Sequence, residues 1–397
     1  MPGRTVAFAG TDIIRRRMTG EGETGQVSGR GEGRRRPIVV VVGQGPPATG
    51  GIPTYVTTLL RSPAARRAAA LGFLNTTPAG ERRPGSTNVA NLGRTFRDGV
   101  RVFRAAGGAD VVHVNVAAVP LAPLARALLL CAAARAAGAR TILHAHTGRL
   151  HIAARRPMYR WLLRRSRSVA DAFVVVSSVE AEAARRAGIE PEEVPNGLDI
   201  QRHRTGPKDE PPLVAFVGTV CERKGLLDLL TALTRLRETG TRPFRVEIVG
   251  DASQEGPGVF ERIRDRYANE GFTEVAFRGA LDRAGVDDVL ARASVFCLPS
   301  HWEGAPISLL EGMAAEAAPV ATAVGEIPRM LDGGAGVVVG PHDGGALAEA
   351  LASVLDDPER RARIATEARR RVAERYAEDQ AVERVIELYR RLTGYSM

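Results

Sequence analysis

The segment that decides the fold of this chain is residues 298–322, LPSHWEGAPISLLEGMAAEAAPVAT. Its first residues lead into Ser300 as a buried strand does at its C-terminal end. Pro306 follows a short loop at what we expect to be the first helical position, where the missing N–H costs nothing. The helix is expected to run to about Ala317, before Pro319 opens another strand. A strand, a loop, a helix and a second strand in this order are typical of an α/β sheet.

Two glutamates of this segment are candidate functional residues. Glu303 is expected in the loop, and Glu311 on the helix beside Leu310 and Met313. A carboxylate on an apolar helix is costly to bury unless it meets a ligand or a hydrogen-bond donor. The alternative for Glu311 is a solvated position on an exposed stripe.

The spacing of these glutamates resembles the E-x7-E signature of retaining glycosyltransferases of family 4. Residues 319–361, from PVATAV to DDPERR, continue the match with that family's strand, glycine turn, second strand and helix in order. The GGIPTYV segment at 50–56 is similar to the exopolysaccharide-type branch of the family. The resemblance implies an α/β chain with the GT-B fold, in which two doubly wound Rossmann-like domains face a central cleft.

Length and composition agree with two globular α/β domains. The chain has 397 residues, of which 44% are hydrophobic and 25% charged, too many for one ordinary core. No apolar run reaches the length of a membrane span, and the N-terminus lacks the apolar core of a signal peptide. The three cysteines are widely spaced and form no CxxC pair, as in proteins of a reducing compartment. These features predict a cytoplasmic protein.

The positive charge is concentrated in the first half of the chain. The net charge is +10, and residues 37–210 carry 24 Lys and Arg against 12 Asp and Glu. Nucleic acid, a membrane surface or a phosphorylated substrate would each suit such an excess. Nucleic acid is disfavoured because the arginines are dispersed over predicted helices, aromatic residues make up 5% of the chain and no nucleic-acid-binding module is present. We therefore predict no nucleic-acid partner.

The order of patterns along the chain predicts four regions. Residues 1–36 are expected to form a disordered tail, with Met18 as an alternative start. Alternating strands and helices at 37–200 predict the first domain, and a second series at 201–379, opened by a polar linker, predicts the other. The resemblance implies acceptor binding by the first domain and nucleotide-sugar binding by the second. It also implies that the last helix, 380–397, packs back onto the first domain.

Glycines follow the first predicted strand in the segment GQGPPATGG. The segment formally fits G-x-G-x-x-A, but its two prolines lack the N–H groups that a dinucleotide pyrophosphate needs, so we reject that reading. Gly50 and Gly51 precede a predicted helix at 52–61, where backbone without side chains can approach a phosphate. A plain turn is the alternative. The resemblance implies a Gly-Gly loop that faces the donor diphosphate.

His146 ends a predicted strand, TILHAH, at the sheet edge where ligands bind in such folds. His144 and His151 lie nearby in sequence, but three histidines without a nearby carboxylate are a poor ligand set, so we predict no metal there. A purely structural histidine is the alternative. The resemblance of H-T-G to the family's His-Gly implies that His146 contacts the transferred sugar and belongs to the catalytic site.

A candidate anion site follows the strand LVAFVG, in residues 219–225, TVCERKG. A lysine at the opening of a helix suits phosphate, because the helix dipole and backbone N–H groups add to its charge. A solvated Lys224 is the alternative. The resemblance, to G-R-x-x-x-x-K-G, implies that Arg and Lys hold the donor diphosphate. Here Thr219 stands where Arg is expected, so either Arg223 supplies the missing charge or the diphosphate is held less tightly.

The resemblance also assigns roles to the first segment. Glu303, as a catalytic residue, would stabilise charge on the transferred sugar, and Glu311 would bind the ribose of the donor. Helix-start N–H groups would meet the donor at Ala305, Pro306, Ile307 and Ser308. No two aspartates are separated by one residue, so the metal-binding Asp-x-Asp motif is absent. We predict a metal-independent enzyme without a cofactor. A nucleotide-sugar epimerase is an alternative that the E-x7-E match disfavours.

Residues Arg155–Arg167, RRPMYRWLLRRSR, predict an amphipathic helix. Apolar residues form the face opposite an arginine stripe of Arg156, Arg160, Arg164 and Arg167. A helix packed on the sheet with solvated arginines is one reading. The other is an interfacial helix on anionic lipid at the inner membrane face, with Trp161 near the headgroups. With the resemblance, it predicts a glycan or lipid-linked acceptor, and a soluble small-molecule acceptor is the alternative.

Overall fold

The computed structural model describes residues 36–46, 48, 50–77, 89–251 and 258–395. The chain forms two compact units. Among the described residues, the first unit runs to Pro195 and takes in the C-terminal segment from Asp379, and the second runs from Asn196 to Glu378. The division thus falls ahead of the predicted 200/201 boundary. The predicted tail, 1–36, lies outside the described residues apart from its last one.

Asn196 and Leu198 explain where the division falls. The Asn196 side chain donates a hydrogen bond to the Ala305 carbonyl at 2.8 Å. The N–H group of Leu198 donates to the Tyr376 carbonyl, also at 2.8 Å. Residues 196–199, with the sequence NGLD, therefore belong to the second unit.

The first unit contains one sheet and the helices on its two faces. Its described strands are β1 Ile38–Gly43, β2 Ala70–Asn75, β3 Val111–Val116, β4 Arg140–Ala145, β5 Ala172–Val175 and β6 Glu192–Glu193. Its described helices are α1 Gly51–Arg61, α2 Pro63–Ala68, α3 Val89–Ala106, α4 Leu121–Ala136, α5 Leu150–Ala153, α6 Pro157–Arg164, α7 Ser166–Val169 and α8 Ser178–Arg186.

The strands of the first sheet are parallel in the order β2-β1-β3-β4-β5-β6. The β1 strand is buried along its whole length, as expected for a strand covered on both faces. One face carries α3, α4, α6 and α8, which contribute Leu124 and Leu163 among others to the core. The other face carries α1 and the last helix of the chain, Glu378–Thr393, through residues such as Ile386 and Tyr389.

The second unit repeats the architecture. Its described strands are β7 Leu213–Val217, β8 Arg245–Val249, β9 Val275–Gly279, β10 Val295–Leu298, β11 Ala318–Thr322 and β12 Val337–Val339. Its described helices are α9 Leu226–Thr239, α10 Val259–Asn269, α11 Arg283–Arg292, α12 Ile307–Ala314, α13 Ile327–Met330, α14 Gly344–Leu355 and α15 Pro358–Arg375, and the Glu378–Thr393 helix is α16. The sheet is parallel in the order β12-β11-β10-β7-β8-β9. The predicted class, α/β with two doubly wound domains, is confirmed.

The predicted bounds of three helices are wrong. Pro306 is the N-cap of α12, with extended φ and ψ of −70° and 118°, and the helix ends at Ala314 rather than Ala317. Gly51 is already the first residue of α1, not part of the preceding loop. The predicted helix at Arg155–Arg167 is two helices, α6 and α7, that meet at Arg165. In the part of the chain that the structure describes, no helix is both long and apolar enough to span a membrane.

Candidate functional site

The strand order of the second sheet reverses between β7 and β10. These two strands lie side by side although they are far apart in sequence. In open parallel sheets, ligands bind beyond the carboxyl ends of the strands at such a switch point. The loop after β7 carries Thr219, Arg223 and Lys224, and the loop after β10 carries Glu303. The strand order of the sheet therefore brings the candidate anion site and the first candidate glutamate close together.

Lys224 and Glu303 form a buried ion pair at this place. Lys224 Nζ lies 2.6 Å from Glu303 Oε1, and the side chains are 8% and 11% exposed. Ser300 Oγ donates a second hydrogen bond to the same oxygen at 2.8 Å. Burial pushes the pKa of Glu303 upward, but Lys224 and Arg223 outweigh this effect, so the pKa lies below its usual value. The site thus holds a carboxylate that is ionised at neutral pH.

Close backbone contacts hold the two loops together. Gly225 has φ of +66°, and a Cβ on it would lie 1.9 Å from the Pro299 carbonyl oxygen, so the position requires glycine. The N–H group of His301 donates to the Arg223 carbonyl at 2.7 Å. In addition, the N–H group of Glu326, in the segment after β11, donates to the Gly304 carbonyl at 2.8 Å. The Lys224–Glu303 pair is therefore set by main-chain packing.

Arg223 lies beside this pair. Its guanidinium stands over the Trp302 ring at 4.6 Å from the centroid, and Nη1 is 3.5 Å from Glu303 Oε1. Thr219, at the position where the family pattern has arginine, is exposed in the same loop. Arg223 thus stands close enough to the ion pair to act with Lys224 on one anion.

Glu311 is buried on α12 and pairs with Arg283 of α11. Burial raises the pKa of Glu311, and Arg283 offsets only part of that rise. Arg283 also contacts Asp287 at 2.6 Å. No described side chain caps the start of α12, so the first N–H groups of this helix, at Ile307 and Ser308, receive no hydrogen bond from a capping side chain.

In the first unit, His146 follows β4 and its Nε2 lies 2.9 Å from Asn115 Oδ1. Its ring stacks on His144 at 4.1 Å, and the His144 Nδ1 is 3.2 Å from Nε2 of His113. His113 in turn bonds the Tyr389 hydroxyl of α16 at 2.8 Å. The third histidine of this row is thus His113 of β3, not His151, which sequence proximity had suggested.

Gly50 and Gly51 begin α1 beyond the carboxyl end of β1. Gly50 has φ of +118°, which favours glycine. A Cβ added to either residue would meet nothing within 4 Å among the described atoms. Both positions face open space, which leaves room for a ligand beside the backbone.

Two family models match the chain in sequence. "Glycosyl transferases group 1" matches residues 199–371, and "Glycosyltransferase Family 4" matches residues 49–202. Together they span more than half of the chain. The chain belongs to the group 1 glycosyltransferases.

Curated relatives and solved structures agree with this family. Glycogen synthase of Mycobacterium tuberculosis is 31% identical over 53% of this chain and 51% of its own length. A GDP-mannose-dependent monoacylated alpha-(1-6)-phosphatidylinositol monomannoside mannosyltransferase of Corynebacterium glutamicum is 27% identical over 63% of this chain and 69% of its own length. This group 1 glycosyltransferase therefore spans only about half the length of the first of these relatives.

Two solved structures show the same fold. Sucrose-phosphate synthase from Thermosynechococcus elongatus has a TM-score of 0.73 at 21% identity and covers 91% of this chain and 100% of its own. Anabaena HepE, solved in complex with UDP and glucose, has a TM-score of 0.68 at 18% identity and covers 89% of this chain and 99% of its own. The predicted GT-B fold is confirmed by these neighbours and by the two parallel sheets.

Sequence reasoning missed the partners of the candidate residues of this glycosyltransferase. Arg283 pairs with Glu311 and Asn115 with His146, although each pair is about 30 residues apart. No local pattern connects such residues, because only the sheet order brings them together. Ser300 was within reach of sequence reasoning, since it lies three residues before Glu303 in the segment that follows β10.

We expect the first unit of this glycosyltransferase to lose stability in mild acid. Burial lowers the pKa of His113 to about 3, and burial together with His113 lowers that of His146 to about 3. Between an unfolded pKa of about 6.5 and this folded value, the unfolded chain binds protons that the folded chain excludes, so stability falls as pH falls. Each histidine contributes about 1.4 kcal/mol per pH unit within this window.

Urea unfolding at pH 7, 6 and 5 measures this effect. A Trp302→Phe variant leaves Trp161 as the only tryptophan, so its fluorescence follows the first unit. A free energy of unfolding that stays constant from pH 6.5 to 5 contradicts the expectation. A His113→Asn variant is expected to show a shallower pH dependence than its parent.

Proposed function

We propose that this chain is a retaining glycosyltransferase that moves a sugar from a nucleoside-diphosphate sugar to a hydroxyl group of an acceptor. The observation that carries the proposal is the buried Lys224–Glu303 pair at the switch point of the second sheet. Lys224 supplies a cation that can neutralise a diphosphate. Beside it, Glu303 supplies a carboxylate that can stabilise the positive charge that develops on the sugar. The family of the chain supports the same reaction.

In this mechanism the bond between the anomeric carbon and the diphosphate oxygen breaks, and a bond to the acceptor oxygen forms on the same face. The leaving oxygen takes the acceptor proton. Lys224 has three N–H donors, of which Glu303 needs one, so the others and Arg223 neutralise the departing diphosphate. The Glu303 carboxylate stabilises positive charge on the sugar ring. These cations replace the Lewis acid that an Asp-x-Asp motif would hold, so turnover is expected to survive EDTA.

The proposal assigns the remaining donor contacts to candidate residues of each unit. In the second unit, Glu311 accepts hydrogen bonds from the ribose hydroxyls, in competition with Arg283. The first turn of α12 offers its N–H groups to the sugar and the diphosphate. In the first unit, His146 is neutral at pH 7 and oriented by Asn115. Its imidazole contacts a hydroxyl of the transferred sugar, and Gly50 and Gly51 admit the diphosphate to their backbone.

A panel of nucleotide sugars tests the reaction. Each is added to the full chain, the melting temperature is recorded, and the donors that stabilise it are incubated with glucan, lipid-linked and small-molecule acceptors. Product with retained anomeric configuration supports the proposal. Conversion of a donor to its epimer, with no transfer, shows the epimerase alternative instead. Failure of every donor to raise the melting temperature contradicts both.

Arg223→Ala is expected to weaken binding of a nucleoside diphosphate by about 1.5–3 kcal/mol, the range for hydrogen bonds to a charged group. The reason is that Arg223 lies in the same loop as the uncharged Thr219 and stands beside the Lys224–Glu303 pair. Calorimetric titration with nucleoside diphosphate measures the change. Arg278→Ala, which removes a half-exposed arginine elsewhere in the second unit, is the matched control. Equal affinities of wild type and Arg223→Ala would leave Lys224 and the helix start as the diphosphate site.

For the acceptor, we propose a lipid-linked or growing glycan reached at a membrane surface through α6. Met158 and Trp161 are 67% and 56% exposed, and the Arg165 guanidinium stands over the Trp161 ring at 4.8 Å. Tyr159 and Leu163 face the core instead. This helix thus packs on the sheet and also presents an aromatic ring among arginines, as interfacial helices do. The name of the Corynebacterium relative, which describes a phosphatidylinositol mannoside, supports a lipid acceptor.

Co-sedimentation with anionic vesicles tests this part. Binding is expected to fall with salt and in Arg156→Glu/Arg160→Glu, because each surface arginine contributes roughly 1 kcal/mol. Arg164 is left in place because its Nε donates to the Ala187 carbonyl at 2.8 Å. Arg360→Glu/Arg363→Glu makes the same charge change on exposed positions of α15 and should bind like wild type. A wild-type protein that stays in the supernatant at low salt favours a soluble acceptor.

A further inference from the structure

Asp228, His301 and His342 form a cluster of the second unit that the proposed reaction does not use. One ligand atom from each side chain lies within 4.8 Å of the others. His301 Nε2 is 2.7 Å from Asp228 Oδ2, and the His301 and His342 ring centroids are 3.8 Å apart. A hydrogen bond between His301 and Asp228 explains two members of the cluster. It leaves the second imidazole without a role.

Main-chain packing fixes the positions of all three residues. Asp228 lies in the first turn of α9, directly after the Gly225 turn that contacts Pro299. The N–H group of His301 is held by the Arg223 carbonyl. Beyond β12, a Cβ on Gly344 would lie 3.1 Å from the Asp228 carbonyl oxygen. Three separate segments therefore meet at this cluster.

The backbone at His342 has a conformation that is uncommon for residues other than glycine. Its φ is +61°, a left-handed conformation that is costly for a residue with a Cβ. Such conformations persist where the surrounding structure enforces them and are frequent at ligand sites. This one places the imidazole against the His301 ring, with the centroids 3.8 Å apart.

We propose that Asp228, His301 and His342 bind a divalent transition-metal ion, with Zn²⁺ as the best fit. Two imidazoles and one carboxylate are a common Zn²⁺ ligand set, with a fourth position for water. The two imidazoles disfavour Mg²⁺ and Ca²⁺, which prefer oxygen ligands. Asp228 and His301 have side chains that are 24% exposed and His342 is exposed, so an ion reaches them from solvent.

The ion would fasten the turn after β12 to the loop that carries Glu303, since His301 lies two residues before that carboxylate. The diphosphate chemistry stays with Lys224 and Arg223. The metal site therefore goes beyond the proposed function and does not depend on it. Its expected effect is on the stability of the second unit.

Metal titration of the full chain, without a histidine tag and after removal of metals with EDTA, tests the site. Co²⁺ is expected to give visible absorption bands at one ion per chain, Zn²⁺ to displace it, and Zn²⁺ to raise the melting temperature. His342→Asn keeps a residue that tolerates the left-handed backbone but removes the imidazole. Its affinity for Zn²⁺ should fall by at least the roughly 10–100-fold that even the loss of an outer-shell partner costs.

His151→Ala is the matched control, because it removes a partly buried histidine of the first unit and should bind Zn²⁺ like wild type. Asp228→Asn should weaken binding as His342→Asn does. The proposal is overturned if the wild type binds no Co²⁺ or Zn²⁺ at one ion per chain, or if both variants bind as tightly as wild type. It is also overturned if His151→Ala weakens binding equally. Donor binding and turnover are measured separately, so loss of either leaves this result intact.

Discussion

Lys224→Met is expected to destabilise the second unit by about 3–5 kcal/mol, the range found when one partner of a buried ion pair is removed. The variant leaves the Glu303 carboxylate buried with the Ser300 hydroxyl and with Arg223, whose Nη1 lies 3.5 Å away. A buried charge without a close counterion costs far more than the pair itself contributes. Urea unfolding followed through Trp302, in a Trp161→Phe background, measures the loss.

The double variant Lys224→Met/Glu303→Gln separates the lost charge from lost packing. It removes both charges and keeps similar volumes, so most of the lost stability should return. Acid should also reduce the difference in the free energy of unfolding between wild type and Lys224→Met. Because the pKa of Glu303 is depressed in the folded state, the stability from the pair is present above the unfolded pKa and is lost as pH falls through the folded value. If Lys224→Met lies within about 1 kcal/mol of wild type, the pair is energetically a surface ion pair.

Glu303→Gln is expected to reduce turnover about 10²–10³-fold, the usual loss when one electrostatic stabiliser of a transition state is removed. Glutamine keeps the shape of the side chain and the hydrogen bond from Ser300, but it offers no negative charge to the sugar ring. The affinity for nucleoside diphosphate should be unchanged or tighter, because Lys224 is no longer neutralised by a carboxylate. Steady-state turnover and calorimetric titration together measure this split.

Glu311→Gln is the comparison variant for the turnover and the nucleoside-diphosphate affinity of Glu303→Gln. If Glu311 binds the ribose, its variant should raise the Kd for nucleoside diphosphate by about tenfold or more, from the loss of charge-assisted hydrogen bonds. Turnover of Glu311→Gln should also fall, and a higher donor concentration should restore part of it. If Glu303→Gln retains turnover close to wild type, Glu303 has no place in the mechanism. A Glu303→Gln variant that loses diphosphate affinity as Glu311→Gln does would make Glu303 a binding residue.

The sequence by itself determined the α/β class, the number of doubly wound domains and the location of the buried strands. Buried parallel strands are continuous apolar runs, such as residues 38–42 and 295–298, and helices show a different periodicity. These patterns are local and therefore readable. Helix ends were less readable, because Pro306 is compatible with both the N-cap and the first helical position.

Only the tertiary structure decided which charges meet. Lys224 and Glu303 are 79 residues apart in the chain, and they meet because β7 and β10 are neighbours in the sheet. Sequence patterns indicated an anion site at Lys224, with a solvated lysine as the alternative, and they did not indicate that the side chain is buried against Glu303. The same holds for His342, whose role depends on a turn after β12 that packs against α9. The sequence specifies the chemistry of each side chain. The pairing of distant side chains follows from strand order and close backbone packing, and no local sequence pattern encodes either of them.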